Sequence, residues 1–84
     1  MLKIKDDVDL ERLKDFGFEI SQTLEEKPTE LYDGKFTYIE LYDDIDGIWN
    51  TREIYVTGSA YLDTVYDLIK ADLVEKSLAV YYSS

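Results

Sequence analysis

Residues 36–56 have the sequence FTYIELYDDIDGIWNTREIYV, and this stretch decides the fold. Phe36 to Tyr42 and Trp49 to Val56 are rich in aromatic and β-branched residues that alternate with polar ones, as in half-buried strands. Between the two runs lie residues that favour turns: Asp43, Asp44, Asp46 and Gly47. The stretch therefore predicts a β-hairpin with an acidic turn.

Alternation assigns the side chains of this hairpin to two faces, because successive residues of a strand point to opposite sides. Ile39, Leu41, Ile54 and Val56 are predicted to face the core. The opposite face and its turn are predicted to carry Tyr38, Glu40, Tyr42, Asp43, Asp44, Asp46, Trp49, Glu53 and Tyr55. Exposed tyrosine provides a large contact area at low entropy cost, so we predict these residues as a partner-binding site. The alternative is a sheet face that is merely exposed to solvent, and Trp49 could anchor either the core or a contact.

The N-terminal part predicts a short strand, a short helix and a second strand. Leu2 and Ile4 alternate with lysines, as in a strand. Asp9 is a suitable N-cap for a helix from Leu10 to Asp15, and Gly17 can take the left-handed conformation of a Schellman ending. A strand from Phe18 to Thr23 is predicted to be interrupted by a loop or an edge bulge, Glu25 to Pro28, because proline cannot donate to a ladder.

Thr29 to Tyr32 is predicted to be extended, with Asp33-Gly34 as a two-residue hairpin turn after it. Beyond the central hairpin, Ser59 can cap a second helix from Ala60 to about Ala71, in which Asp72 takes the terminal position that Gly17 takes in the first. The spacing predicts an inner stripe of Leu62, Val65, Tyr66 and Ile69. A last strand is predicted from Val74 to Tyr82.

The element order is (β)-α-β-β-β-α-β, which predicts a small α+β domain over residues 1–84 with a mostly antiparallel sheet and both helices on one face. No run approaches the roughly 20 apolar residues of a membrane helix. The N-terminus also lacks the apolar region of a signal peptide. We therefore expect a soluble cytoplasmic protein without a membrane partner.

Composition excludes several classes of chemistry. The 84 residues contain no cysteine and no histidine, which excludes disulfides, thiolate or imidazole catalysis and Cys/His zinc sites. The net charge is −10, and residues 25–46 alone hold eight acidic and two basic residues. Such a chain is repelled by nucleic acid and attracted to basic surfaces, so the expected partner is a basic protein surface and no cofactor is expected.

Two site chemistries compete with this interpretation. Counting Gly47 as position six of a calcium loop places Asp44 at three, Asp46 at five and Glu53 at twelve, but Tyr42 then stands at position one and strands flank the loop. Glu40 and Glu53 could share a proton like paired glycosidase carboxylates. Catalysis also needs a pocket, and a chain this short predicts a flat or convex face. An acidic turn without metal and a protein without enzymatic activity are therefore favoured.

Two stretches of the sequence, KIKDDVDLERLKDFGF at residues 3–18 and VYDLIKADLVEK at residues 65–76, flank the central hairpin. They resemble the two ends of small proteins carried by phages and prophages of Gram-positive bacteria, and the resemblance does not extend to the hairpin between them. It implies a phage accessory protein. Small acidic phage products include anti-CRISPR and other anti-defence proteins that occupy nucleic-acid-binding grooves, and this composition is similar to theirs.

Two functions of different class follow. In the first, the acidic tyrosine face docks on a basic groove of a host nucleic-acid-handling defence protein and inhibits it as a nucleic-acid mimic. In the second, the same face forms a homodimer of a phage or prophage accessory protein, and the acidity only keeps it soluble. The first predicts salt-sensitive capture by a basic partner, and the second predicts self-association with little salt dependence.

Overall fold

A computed structural model describes residues 1–58 and 62–77. The strands are β1 (Leu2–Ile4), β2 (Glu19–Leu24), β3 (Lys27–Tyr32), β4 (Thr37–Asp43), β5 (Ile48–Val56) and β6 (Val74–Lys76). A 3₁₀ helix (Leu10–Phe16) follows β1, and helix α1 (Asp63–Lys70) precedes β6. The six strands form one antiparallel sheet in the order β2-β3-β4-β5-β1-β6, which confirms the α+β class.

The centre of the chain holds four strands, one more than the predicted order, because Glu25 and Glu26 form a tight turn between β2 and β3. Both residues have left-handed φ angles, 51° and 67°, as a two-residue hairpin turn requires. The loop alternative for Glu25–Pro28 is therefore wrong beyond Glu26, since Pro28 lies within β3 opposite Thr23. The predicted edge bulge has a counterpart beside Pro28, where the register shifts between Gln22 and Thr23. The missing N–H is tolerated because the registered pairs of β3 with β4 begin only at Glu30.

The 3₁₀ helix begins and ends as its sequence predicts. The Asp9 carboxylate accepts a hydrogen bond from the Glu11 N–H at 3.0 Å, which confirms the N-cap. At the other end Gly17 has a φ of 91°, and the N–H of Phe18 donates to the Leu13 carbonyl at 3.2 Å. This is the Schellman ending, although the helix is tighter than an α-helix.

Helix α1 ends in the same way, at a residue other than glycine. Asp72 has a φ of 59°, and the Leu73 N–H donates to the Leu68 carbonyl at 3.1 Å. The predicted start at Ser59 and Ala60 lies outside the described residues, and the observed helix begins at Asp63 without a side-chain cap. The predicted last strand is observed over Val74–Lys76; Ser77 is described but lies outside the strand, and residues 78–82 of the prediction lie outside the described residues.

The inner stripe of α1 differs from the predicted one. Val65 is buried as expected, but Tyr66 is 57% exposed, Ile69 45% and Leu62 41%. Leu68 is fully buried in their place. The helix has apolar residues on two faces, and the hydrogen bond that closes its end draws Leu68 and Leu73 into the same core cluster. That contact fixes the rotation of the helix.

One hydrophobic core lies between the helices and one face of the sheet. It contains residues of both helices and of β1, β3, β4 and β5: Ile4, Leu13, Phe18, Leu31, Ile39, Leu41, Ile54, Val65, Leu68 and Leu73. The predicted placement of both helices on one face is thus confirmed. The opposite side of the sheet is called the outer face below.

The β3–β4 connection is longer than the predicted two-residue turn, since Tyr32 pairs with Tyr38 and residues 33–36 form the loop. One carboxylate oxygen of Asp33, Oδ1, accepts the N–H groups of Lys35 at 2.8 Å and of Phe36 and Thr37 at 3.1 Å each. Its other oxygen, Oδ2, accepts the Thr64 hydroxyl at 2.9 Å. Asp33 thereby ties the hairpin loop to the first turn of α1.

The helices offer no membrane-spanning segment in the part of the chain that the structure describes, since none combines the required length with sufficient apolar character.

Candidate protein interaction site

The strand register brings the predicted partner-binding residues of β4 and β5 together on the outer face. Tyr38 lies opposite Tyr55, Glu40 opposite Glu53, and Tyr42 opposite Trp49. Facing residues of an antiparallel pair have Cβ atoms roughly 5 Å apart, so each pair is in contact range. The alternation of β4 is confirmed, since Ile39 and Leu41 are buried while the residues between them are partly exposed.

Three glutamates form a continuous row across the outer face. Glu30 on β3 lies opposite Glu40 on β4, and Glu40 lies opposite Glu53 on β5. We call these three residues the carboxylate row. Neighbouring strands are about 4.8 Å apart, so the row holds one carboxylate per strand at that spacing.

No lysine or arginine within residues 1–58 and 62–77 forms an ion pair with the carboxylate row. Lys3 of β1 lies directly opposite Glu53, but its ammonium group binds the Asp6 carboxylate at 2.8 Å. Like charges directly opposite each other destabilise a sheet. The row therefore leaves negative charge on the outer face that the described part of the chain does not neutralise.

The electrostatic effect of the carboxylate row is seen in the pKa of Glu40, its central residue. Its pKa is raised from its ordinary value, first by burial and then by the negative charges of Asp43, Asp44, Glu53 and Glu30. Glu40 therefore binds a proton more readily than an isolated glutamate does. A positive charge placed beside Glu40 would oppose this rise in pKa.

Glu53 is buried, contrary to the prediction that it is displayed on the surface. Only 3% of the residue is exposed, and its Oε1 accepts the Ser77 hydroxyl at 2.5 Å. No donor in the described part of the chain reaches its Oε2. The prediction failed because β5 is a central strand, with β1 and then β6 beyond it, a neighbourhood that the hairpin sequence does not encode.

Aromatic rings border the carboxylate row on both sides. The Tyr32 and Tyr38 rings stack with centroids 5.1 Å apart, and the Tyr42 and Trp49 rings meet at 4.4 Å. The Lys27 ammonium lies 5.4 Å from the centroid of a Trp49 ring, in range of a cation–π contact. These contacts fix the rings before any partner binds.

The outer face is grooved, and the prediction of a flat or convex face is wrong. The groove has a volume of about 440 Å³ and is lined by residues of β2 to β5 and the acidic turn: Gln22, Thr23, Leu24, Thr29, Glu30, Tyr38, Glu40, Tyr42, Asp44 and Tyr55. A bulge accompanies it, since Asn50 and Arg52 of β5 adopt left-handed φ angles of 63° and 58° where the register with β4 shifts. Bulges bend a strand and increase its twist.

The acidic turn is organised by Asp43. Its Oδ1 accepts the N–H groups of Ile45 at 2.9 Å and Asp46 at 3.3 Å, while Asp44 and Asp46 are exposed. Strands flank the turn on both sides, as the hairpin prediction requires. Residues 1–58 and 62–77 contain no group of three or more acidic side chains arranged to hold a metal ion.

Sequence reasoning missed Glu30, Tyr32 and Gln22 as members of this face. Gln22 on β2 lies opposite Glu30 and extends the line of the carboxylate row by one strand. The signal was present, because Glu30 and Tyr32 alternate with Leu31 just before a hairpin turn. Pairing this run with β4 would have identified them.

Comparisons of the chain with protein-family models, with curated proteins and with solved structures found no match.

Proposed function

We propose that this chain is a non-enzymatic binding protein that docks its outer face on a basic, nucleic-acid-binding surface of another protein and blocks that surface. The observation that supports the proposal is the carboxylate row, whose Glu30 and Glu40 line the groove between aromatic rings and form no ion pair with any lysine or arginine that the structure describes. Such a row selects lysine and arginine, and it offers nothing to a nucleic acid itself.

The spacing of the row suits a surface that binds nucleic acid. Glu30 and Glu40, the two members of the row that line the groove, are one strand spacing of ~4.8 Å apart, which is of the same order as the ~3.4 Å between phosphates along a DNA strand. Asp43, Asp44 and Asp46 continue the negative charge beyond the row. A groove that binds phosphates with basic side chains would therefore meet a comparable line of charge on this protein.

Contact energy would come chiefly from the aromatic rings. Tyr38, Tyr42 and Trp49 are partly exposed, and their ring contacts restrict them before binding. Pre-ordered aromatic side chains lose little entropy on association and are enriched among interface hot spots. The acidic turn, at the rim, would act mainly on the rate of encounter.

Self-association through the same face is the weaker alternative. A two-fold dimer places the same patch of both copies in contact, so it would bring two carboxylate rows together. Because the row holds no paired cation in the described residues, such a dimer would add like-charge repulsion to a site where the pKa of Glu40 is already raised. A basic partner would instead neutralise the negative charge of the row.

The biological setting of the proposal is a phage-infected or lysogenic Gram-positive bacterium. It rests on the resemblance of residues 3–18 and 65–76 alone. In that setting the partner is a host defence protein that handles nucleic acid, of the kind that anti-CRISPR proteins inhibit, and the complex forms in the host cytoplasm.

The experiment compares two variants that lose the same charge at different places. The face variant carries Glu30→Gln, Glu40→Gln and Asp44→Asn, and the control carries Asp7→Asn, Asp15→Asn and Asp67→Asn, which lie in exposed positions away from the groove. Each is used to capture partners from host lysate over a series of salt concentrations. Nucleic acid is then added to compete for the captured protein.

We expect the wild-type and control proteins to capture a basic partner that nucleic acid displaces, and the face variant to bind it about tenfold more weakly, which is a loss of about 1.4 kcal/mol. Equal weakening by both variants would mean that only net charge matters. Salt-independent dimerisation of the wild type, with no captured partner, would overturn the proposal in favour of self-association.

A further inference from the structure

Strand β2 is a free edge of the sheet. It is the first strand in the sheet order, all six of its residues are exposed, and no strand in residues 1–58 and 62–77 pairs with its outer side. An exposed edge presents unpaired N–H and C=O groups, which are a template for another extended chain.

The register with β3 identifies a residue whose backbone points outward. Thr23 lies opposite Pro28, which has no N–H and so cannot exchange both hydrogen bonds of a hydrogen-bonded pair. Thr23 and Pro28 therefore form a non-hydrogen-bonded pair. The N–H and C=O of Thr23 then point away from β3, to the free edge.

The two sides of this edge differ in chemistry. On the outer face, Gln22, Thr23 and Leu24 line the groove that contains Glu30 and Glu40. On the helix side lies a pocket of about 180 Å³ whose wall is mainly apolar, from Leu10, Phe18, Ile20, Pro28 and Leu31, with Asp9, Glu11, Lys14 and Glu19 also lining it. A strand added beside β2 would send alternate side chains to these two sides.

We propose that β2 pairs with an extended segment of the partner in which basic and apolar residues alternate. The basic side chains of this segment lie over the groove. A residue of the segment beside Gln22 is two strand spacings, about 9.6 Å, from the backbone of Glu30. An arginine side chain and the Glu30 side chain together span that distance. The apolar side chains face the pocket on the helix side. The placement of basic side chains over the groove rests on the proposed function. The backbone pairing with β2 rests on the free edge alone.

A second copy of this chain is a poorer occupant of the edge. The strand begins with Glu19 and ends beside Glu25 and Glu26, so a β2–β2 contact would bring acidic residues together. The ladder of β2 also shifts register between Ile20 and Gln22 and between Gln22 and Thr23. Bulges of this kind discourage pairing with a long identical edge, and a short basic segment avoids both obstacles.

The probe is an acetylated and amidated heptapeptide, Arg-Val-Arg-Val-Arg-Val-Arg, compared with a fully N-methylated version of equal charge. Its affinity is measured by calorimetry for the wild type, for Thr23→Pro and for Thr23→Val. Proline removes the outward N–H at an edge position that tolerates it, and valine keeps that N–H and the β-branched shape. Amide hydrogen exchange of wild-type Thr23 is followed with and without the peptide.

We expect N-methylation and Thr23→Pro each to weaken binding at least tenfold, Thr23→Val to change it less than threefold, and the peptide to protect the Thr23 amide from exchange. The exchange measurement decides the matter even if Thr23→Pro fails to fold. Equal binding of both peptides, without protection at Thr23, overturns the edge inference and leaves the proposed docking of the outer face standing. Absence of any peptide binding overturns it as well, while the lysate capture tests the proposed function separately.

Discussion

Removal of the Asp33 carboxylate should be among the most damaging single changes in the β3–β4 region. In Asp33→Ala, three backbone N–H groups of the loop and the Thr64 hydroxyl of α1 lose their acceptor. The Lys35 N–H is exposed and can return to water. The N–H groups of Phe36 and Thr37 are partly buried, and Thr37 as a residue is only 1% exposed.

The expected loss follows from those two donors. A buried donor left without a partner costs about 1–3 kcal/mol, so two of them give about 2–4 kcal/mol after partial relaxation of the loop. A domain of this size has a total stability on the order of 4–13 kcal/mol. At about 4–8 °C per kcal/mol, the melting temperature should fall by about 10 °C or more.

The loss should also depend on pH. Burial raises the pKa of Asp33, but the N–H groups of Lys35, Thr37 and Phe36 and the Thr64 hydroxyl outweigh it and hold the pKa below the ordinary value of 3.8. The folded state therefore binds the proton less tightly than the unfolded chain does. The stabilisation is complete above about pH 4 and is lost as pH falls through the lowered pKa, so wild type and variant should converge in acid.

Urea unfolding followed by tryptophan fluorescence gives the free energies, and Asp43→Ala is the matched control. Asp43 also accepts two backbone N–H groups in a hairpin turn, but both are exposed and no other element is involved. Its removal should cost less than about 1 kcal/mol. Equal losses for the two variants at pH 7, or a loss for Asp33→Ala that does not diminish in acid, would refute the reasoning.

Two further outcomes concern the row and the helix end. Glu40→Gln should raise the free energy of unfolding at pH 7 by about 0.2–1 kcal/mol, because it removes like-charge contacts. Since the pKa of Glu40 is raised, the gain should vanish as pH falls below the ordinary value of 4.5, and a loss at pH 7 would contradict this account. Gly17→Val should cost roughly 1–2 kcal/mol in the same assay, because a left-handed φ of 91° strains any branched residue although nothing lies within 4 Å of the new Cβ. An unchanged urea midpoint for Gly17→Val would show that the Schellman ending does not stabilise the protein.

Features set by near neighbours in sequence were predictable. Three such features depend on contacts between residues a few positions apart: the N-cap at Asp9, the left-handed conformations of Gly17 and Asp72, and the alternation around Ile39. For the same reason the outer face was placed correctly on β4. A short polar or apolar pattern is sufficient to predict a structural feature when the residues that contact each other lie within one turn or one hairpin.

Features set by distant strands were not predictable. Glu53 is buried because β1 pairs with β5 and because Ser77, which follows β6, reaches its carboxylate. Arg52 has a left-handed φ because the bulge directs its guanidinium to the carbonyls of Lys5 and Val8, at 2.8 Å each. The rotation of α1 likewise depends on the burial of Leu68 in the core. The helical periodicity of the sequence does not show whether Leu68 or Ile69 is the buried residue.

The pairing of β1 with β6 has a consequence for the order of folding. Leu2 lies opposite Lys76 and Ile4 opposite Val74, so the two ends of the described chain are neighbours in the sheet. The meander from β2 to β5 joins strands that are close in sequence and has a small closure entropy. At 5–20 residues per second, a ribosome needs about 4–15 s between making β1 and making β6. During that interval the meander can form, while β1 lacks one of its two strand partners, so we expect the β5-β1-β6 side of the sheet to be the last part of the protein to become native.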